Sequence, residues 1–197
     1  MFKVGITGGI GVGKTTVCKV FELLGVPVYY SDEAAKIVIE TQDVKTKIVE
    51  AFGSDVLASD ASLDKKKLAA IVFTDKAKLT VLNSIVHPAV DNHFKQWGTT
   101  HTNAPYIIKE AAILFESGAS LAMDKVITVT APLELKIQRA MMRDTSTREQ
   151  IEERIKNQMS DDEKMKRSDY VIYNDNQQLV IPQVMISHEA ILKLINS

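Results

Sequence analysis

The chain has little that would take it out of a reducing compartment or into a lipid bilayer. It holds a single cysteine, Cys18, so no intrachain disulfide can form and a cystine-stapled secreted scaffold is excluded. That thiol falls on an amphipathic stretch and reads as buried. No uncharged apolar run reaches the ~20 residues that span a bilayer, and the first residues enter a strand-like segment rather than a basic and apolar leader. A cytoplasmic protein without a membrane partner is the expectation. Excess charge of one sign is missing too. With 24 Lys+Arg against 25 Asp+Glu the net charge is -1, which gives no basic field to hold a nucleic-acid backbone. The four histidines, His87, His93, His101 and His188, lack zinc-site spacing, and no internal repeat or low-complexity segment is present.

What is present is 197 residues of ordinary globular composition, 45% hydrophobic and 25% charged. That suffices for one α/β core with insertions and hardly for two independent domains. The most informative stretch is KVGITGGIGVGKTTVCK, Lys3 to Lys19. It reads as a buried strand to Thr7, a tight glycine loop from Gly8 to Gly13, and a helix opening at Lys14 and Thr15. Gly8, Gly13, Lys14 and Thr15 satisfy the G-x-x-x-x-G-K-[ST] spacing of a phosphate-binding loop. Glycines let the backbone close around a polyphosphate, so that N–H groups and the positive end of the following helix face the anion. Lys14 would then reach the β- and γ-phosphates and the Thr15 hydroxyl a magnesium ion.

Further strands are expected over Val26–Tyr30, Tyr106–Glu110, Lys125–Thr130 and Tyr170–Tyr173, alternating with helices, the last from Pro182 to Ile195. Strand, crossover helix and strand in this order imply a five-stranded parallel sheet flanked by helices, an α/β fold with its ligand at the carboxyl ends of the strands. Between residue 41 and about 97 the pattern is helical, a helical insertion. Within it the Lys65-Lys66-Lys67 run reads as a solvated face.

Several charged positions admit two readings. Asp32 caps a helix beginning at Glu33, or is a carboxylate beside the phosphates, placed to take a proton from an attacking hydroxyl or to orient magnesium through water, and the two roles can coexist. Glu110, ending the third strand, is a magnesium-orienting carboxylate or a polar strand terminus. Glu116 closes a turn or meets a ligand. Arg139 and Arg143, four apart on one helix face, either converge on a transferring phosphate or form a solvated stripe with partners such as Glu134 and Asp144.

Taken together, Thr7-Gly8-Gly9-Ile10-Gly11-Val12-Gly13-Lys14-Thr15-Thr16, Asp32 one helix later, His87-Pro88, Ile113-Leu114-Phe115-Glu116, the Arg139 and Arg143 helix, and Asp169-Tyr170-Val171-Ile172 with Asn174 closely resemble the dephospho-CoA kinase family. The resemblance runs over nearly the whole chain. It implies a P-loop nucleoside-triphosphate hydrolase fold: a nucleotide-binding core of about 1–32, 98–132 and 159–197, a helical substrate-binding region of about 33–97, and a helical lid of about 133–158. It implies transfer of the ATP γ-phosphate to the ribose 3′-hydroxyl of dephospho-CoA, with Mg2+. Asp32 becomes the general base, with Lys14, Arg139 and Arg143 as charge stabilisers. Gly8, Gly9, Gly11, Val12, Gly13, Lys14, Thr15, Thr16 and Asn174 become nucleotide contacts, and Asp32, Lys36, His87 and Glu116 substrate contacts. Tyr30, Ser31, Lys36, Glu110 and Ala112 depart from the common pattern, and Lys36 in particular lacks the bidentate fork of the more frequent arginine. Two alternatives are another small-molecule or nucleoside monophosphate kinase with this loop, and a nucleotide-dependent switch. Against the switch, the chain has no Asn-Lys-x-Asp guanine-reading segment.

Overall fold

The computed structural model describes residues 1–73, 75–144 and 146–197. They fall into two units, one of residues 1–30 with 100–197 and one of residues 31–99. No helix among the described residues is long and apolar enough to cross a membrane.

The first unit is built on β1 (Phe2–Thr7), β2 (Val28–Tyr30), β3 (Tyr106–Glu110), β4 (Lys125–Thr130) and β5 (Tyr170–Tyr173), all parallel, in the order β2-β3-β1-β4-β5. The five runs expected from sequence all become strands. Their near-continuous apolar character follows from cover on both faces: the last four residues of β1 and all of β3 are buried. On one face α1 (Lys14–Leu23) and α9 (Val180–Asn196) contribute Val17, Cys18, Phe21, Val184 and Ile191 to a core with Val4, Ile6, Ile108, Ile127 and Val129. Each such side chain stabilises the fold by about 1.5–3 kcal/mol. Elsewhere on the sheet Leu114, fully buried, packs where Gly5 has no side chain; a Cβ at Gly5 would meet Leu114 Cδ2 at 2.5 Å. Leu114 therefore serves the core.

The start of β2 differs from expectation, and the end of α1 explains why. Gly25 takes φ +81° and donates its N–H to the Glu22 carbonyl, while Val26 donates to Phe21. This paired closure satisfies the last carbonyls of α1 and holds Val26 in the cap. Pro27 has no N–H to give, so regular pairing begins at Val28.

The unit also carries α6 (Leu133–Arg143), α7 (Arg148–Lys156) and α8 (Asp161–Lys166). The helical run expected from Pro132 to about Met165 is thus three helices. Thr147 and Gln150 form a reciprocal cap at the start of α7, and Ser160 caps α8, each pairing a short side chain with an otherwise orphaned amide.

The second unit consists of α2 (Ser31–Val38), α3 (Gln42–Phe52), α4 (Lys65–Phe73) and α5 (Lys76–Thr99), with a single isolated bridge between Leu57 and Leu63 among its described residues. Its own apolar cluster joins Val44, Ile48, Val56, Leu63, Leu68 and Val72. Lys65, Lys66 and Lys67 are exposed, the solvated face expected of them. Helix α2 begins at Ser31, directly after β2, rather than at Glu33. Asp32 is therefore inside the first turn and does not cap a helix that starts one residue later. Asp32 and Glu33 both lie in that turn, where the positive end of the helix favours carboxylates.

Candidate active site

The loop between β1 and α1 is shaped by positions at which a side chain has no place. Gly8, Gly11 and Gly13 take φ of 152°, 75° and 86°. A Cβ at Gly8 would lie 2.3 Å from the Val129 carbonyl oxygen, one at Gly11 2.1 Å from the Lys136 carbonyl oxygen, and one at Gly13 2.2 Å from Asn174 Nδ2. Gly9 is different: its nearest neighbour would be Asp161 Oδ1 at 3.3 Å. The loop opens into α1, whose start has no side-chain cap and no acidic residue in its first turn. Backbone amides at a positive helix end with no built-in carboxylate fit a polyphosphate.

Lys14 projects back along this loop, donating from Nζ to the carbonyls of Gly8 at 3.0 Å and Gly9 at 3.4 Å, with Glu110 Oε1 at 3.8 Å. Glu110 ends β3, paired in register with Ile6 of β1 and Tyr30 of β2, and is 7% exposed. Thr15 and Thr16, in the first turn of α1, are exposed, open to an ion or a phosphate. Behind them burial, with help from the Glu110 charge, pushes the Cys18 thiol far above its ordinary range; it stays protonated and takes no part.

Asn174 closes the other side. Its backbone N–H donates to Thr130, continuing the pairing of β4 and β5, and its Nδ2 donates to the Val12 carbonyl at 2.8 Å. Arg139 Nη1 in turn donates to the Asn174 carbonyl at 2.9 Å, and Nη2 to Asn176 Oδ1 at 2.7 Å. Arg143 makes a two-point contact with Asp144, at 2.8 and 3.1 Å, and Arg154 joins the same carboxylate at 3.1 Å. The two arginines of α6 thus engage different acceptors here. Of the acidic partners named for a solvated stripe, Asp144 takes Arg143, whereas Glu134 takes Arg148.

Beneath the loop lies a polar layer that sequence reasoning did not find. Glu116 Oε1 accepts the Met159 N–H at 2.9 Å and pairs with Lys164 Nζ at 3.0 Å. Lys164, fully buried, also donates to the Ala112 carbonyl at 2.8 Å, which accepts from the Thr7 hydroxyl at 3.4 Å. Lys136 Nζ meets Asp161 Oδ2 at 2.6 Å, and Thr130 donates to the same oxygen at 3.2 Å. Buried ammonium groups persist only when paired and hydrogen-bonded, and both lysines are. A cleft of about 380 Å³ opens beside Gly9, among Lys136, Gln158 and Asp161. The one local signal was Ser160 ahead of three acidic residues, which marks a helix start but not what that helix touches.

In the second unit Asp32 is exposed, two residues beyond the end of β2. Lys36, one turn further, gives its ammonium to Glu33 at 2.8 Å, and that hydrogen bond raises its pKa. His87 is half-buried inside α5, directly before the internal Pro88.

A parallel sheet in this order, with a glycine loop opening a helix beside a strand-end carboxylate, defines a P-loop kinase. Shikimate kinase from Acinetobacter baumannii shares the fold, with a TM-score of 0.56 at 16% identity over 98% of this chain and 94% of that one. Finer comparison narrows the class. The family profile described as dephospho-CoA kinase matches residues 2–179. A dephospho-CoA kinase of Bacteroides fragilis is 43% identical over 184 residues, 93% of this chain and 89% of the relative. One from Fusobacterium nucleatum is 39% identical over 173 residues, 88% of this chain and 89% of the relative. Among solved structures, a Thermus thermophilus protein, TT1252, superposes with a TM-score of 0.84 at 30% identity, covering 98% of this chain and 97% of its own. Dephospho-CoA kinase from Campylobacter jejuni gives 0.70 at 26%, with 97% of both chains covered. The chain belongs to the dephospho-CoA kinase family.

Proposed function

We propose that this kinase transfers the γ-phosphate of ATP to the 3′-hydroxyl of the ribose of dephospho-CoA, giving coenzyme A and ADP in the cytoplasm as the last step of coenzyme A synthesis. The observation that carries the reading is the family match over residues 2–179, in a chain whose phosphate loop keeps every glycine its packing requires.

The loop amides from Gly11 to Thr16 would grip the triphosphate, and Lys14, already held inside the loop by two carbonyls, would exchange them for phosphate oxygens. Thr15 would hold Mg2+ through its hydroxyl, with Asp32 or Glu110 helping through water, and the ion would supply charge neutralisation to the phosphates. Asp32 takes the proton of the acceptor hydroxyl. Arg139 and Arg143 stabilise the charge spread over the transferred group, which requires each to leave its present partner, the 174–176 turn and Asp144 respectively. Lys36, His87 and Glu116 are assigned to the acceptor side. Glu116 serves that role through the backbone it holds at Met159.

The test is incubation with MgATP and a panel of acceptors, with product mapping. Phosphate on the ribose 3′-hydroxyl of dephospho-CoA is expected, and preferential phosphorylation of AMP would overturn the reading. Asp32→Asn should lower kcat by ~10²–10⁴ while MgADP binding is kept. Near-normal turnover would remove the general base.

A further inference from the structure

The peptide joining Gly9 to Ile10 is held at both of its polar ends. Its carbonyl oxygen, that of Gly9, accepts from Lys14 Nζ at 3.4 Å. Its N–H, that of Ile10, donates to Gln158 Oε1 at 3.1 Å. A trans peptide is planar, with N–H and C=O pointing opposite ways, so an acceptor fixed on one side aims the oxygen to the other. Gln158 directly follows Asn157, the C-cap of α7. Its neighbour Met159 is tied by its own N–H to Glu116, so the acceptor does not drift.

The Ile10 side chain reinforces the arrangement. It is 7% exposed and packs with Ile137 and Ala140 of α6 and Ile151 of α7, a small core separate from that of the sheet. Gly11 then turns the chain against the Lys136 carbonyl of α6. The tip of the phosphate loop is thus lodged in the helical arm through an apolar anchor, a hydrogen bond and a backbone contact.

We propose that Gln158 is a positioning residue for the nucleotide site: by accepting the Ile10 N–H it turns that amide away from the anion and aims the Gly9 carbonyl at Lys14. Lys14 is thereby kept inside the loop, ready to meet phosphate, and the amides that grip the nucleotide are those from Gly11 onward. The inference rests on the reading of this loop as the ATP site given above. It needs no particular acceptor.

Two variants separate the acceptor oxygen from the space it fills. Gln158→Met keeps the length of the side chain and removes the amide oxygen; Gln158→Ala removes both. Gln158 is partly exposed, so both should fold, with melting temperatures near that of the parent. Loss of the hydrogen bond should raise the Kd for MgADP, measured by calorimetry, and the KM for ATP by ~5- to 10-fold in both variants. The kcat should change by no more than about twofold, since the bond acts on grip and not on the reacting atoms. A Met variant with unchanged Kd and KM would show that the side chain only fills space. A loss falling equally on kcat and on the KM for dephospho-CoA would show that it acts elsewhere; either result overturns the proposal. Should the parent protein fail to phosphorylate dephospho-CoA, the acceptor assignment falls while the MgADP measurement still decides the role of Gln158.

Discussion

The phosphate loop and the arginine-bearing arm of α6 and α7 lie in the same unit and are built on opposite principles. Around the loop, contacts are made by backbone and by buried groups: Lys136 carbonyl on Gly11, Asn174 on Val12 and Gly13, Val129 carbonyl on Gly8. Along the arm Arg143, Arg148 and Arg154 are exposed and paired locally, Arg143 and Arg154 on Asp144, Arg148 on Glu134 and Glu152. Exposed ion pairs contribute only about 0–1 kcal/mol each, so exchanging a carboxylate for a phosphate there costs little. Reshaping a loop closed by carbonyl oxygens costs far more. On the proposed reading the site joins a fixed receptor for the phosphates to a set of arginines that can change partner.

The sharpest way to break this comparison is to compare two neighbouring glycines. Gly11→Ala puts a methyl 2.1 Å from a backbone oxygen at φ 75°, so neither a rotamer change nor a small shift relieves it. A left-handed backbone adds about 1–2 kcal/mol for a residue with a side chain. Its Kd for MgADP should rise by about 100-fold or more, with a lower melting temperature. Gly9→Ala, whose nearest neighbour is a side-chain oxygen at 3.3 Å, should stay within about threefold of the parent. Calorimetry on both proteins is the check. Equal losses would mean that the loop is not closed by the contacts described.

Those two glycines also show what could be read in advance. The spacing of Gly8, Gly13, Lys14 and Thr15 was legible because phosphate chemistry constrains the local chain itself, and the five strands because burial on both faces leaves apolar runs. Glycine spacing did not say that Gly11 is closed by Lys136, or Ile10 by Gln158, since those contacts bridge well over 100 residues. The polar layer of Glu116, Lys164, Lys136 and Asp161 was hidden for a related reason. A lysine on a short helix reads as a solvated one, and only the fold reveals that Lys164 is buried against the Ala112 carbonyl. The start of α2 lies two residues ahead of the expected Glu33 because Asp32 reads as a cap in sequence terms, whereas the strand leads into the helix without a linker.

Asn174 tests whether the fixed side of the site depends on a single side chain. Asn174→Ala leaves the Val12 carbonyl without its 2.8 Å donor and removes the Oδ1 facing Arg139. Leaving a partly buried acceptor unsatisfied should lower stability by about 1–3 kcal/mol, read by denaturant titration, and weaken MgADP binding by about tenfold. Asn174→Asp keeps the size and the oxygen but not the donor, so it should behave like the alanine variant. Recovery to parental affinity in the aspartate variant would show that the contact to Arg139, not the one to Val12, holds the loop.

The smallest effect is expected at Asp144, on the exchangeable side. Hydrogen bonds from Arg143, with a further contribution from Arg154, hold its carboxyl down to about 2, against an ordinary 3.8. A depressed carboxyl pKa stabilises the folded state fully above the ordinary value, and the contribution is lost as pH falls through about 2. Asp144→Asn should therefore lower stability by no more than about 1 kcal/mol at neutral pH. The gap in melting temperature from the parent should be constant above the ordinary carboxylate pKa and narrow below it. Because Arg143 then has one competing acceptor fewer, turnover with MgATP should be kept or rise by up to about twofold. A loss of several kcal/mol would instead mean that the Asp144 pairs are as rigidly built as the glycine loop, and that Arg143 cannot leave its present partner at the modest cost the phosphoryl-transfer role requires.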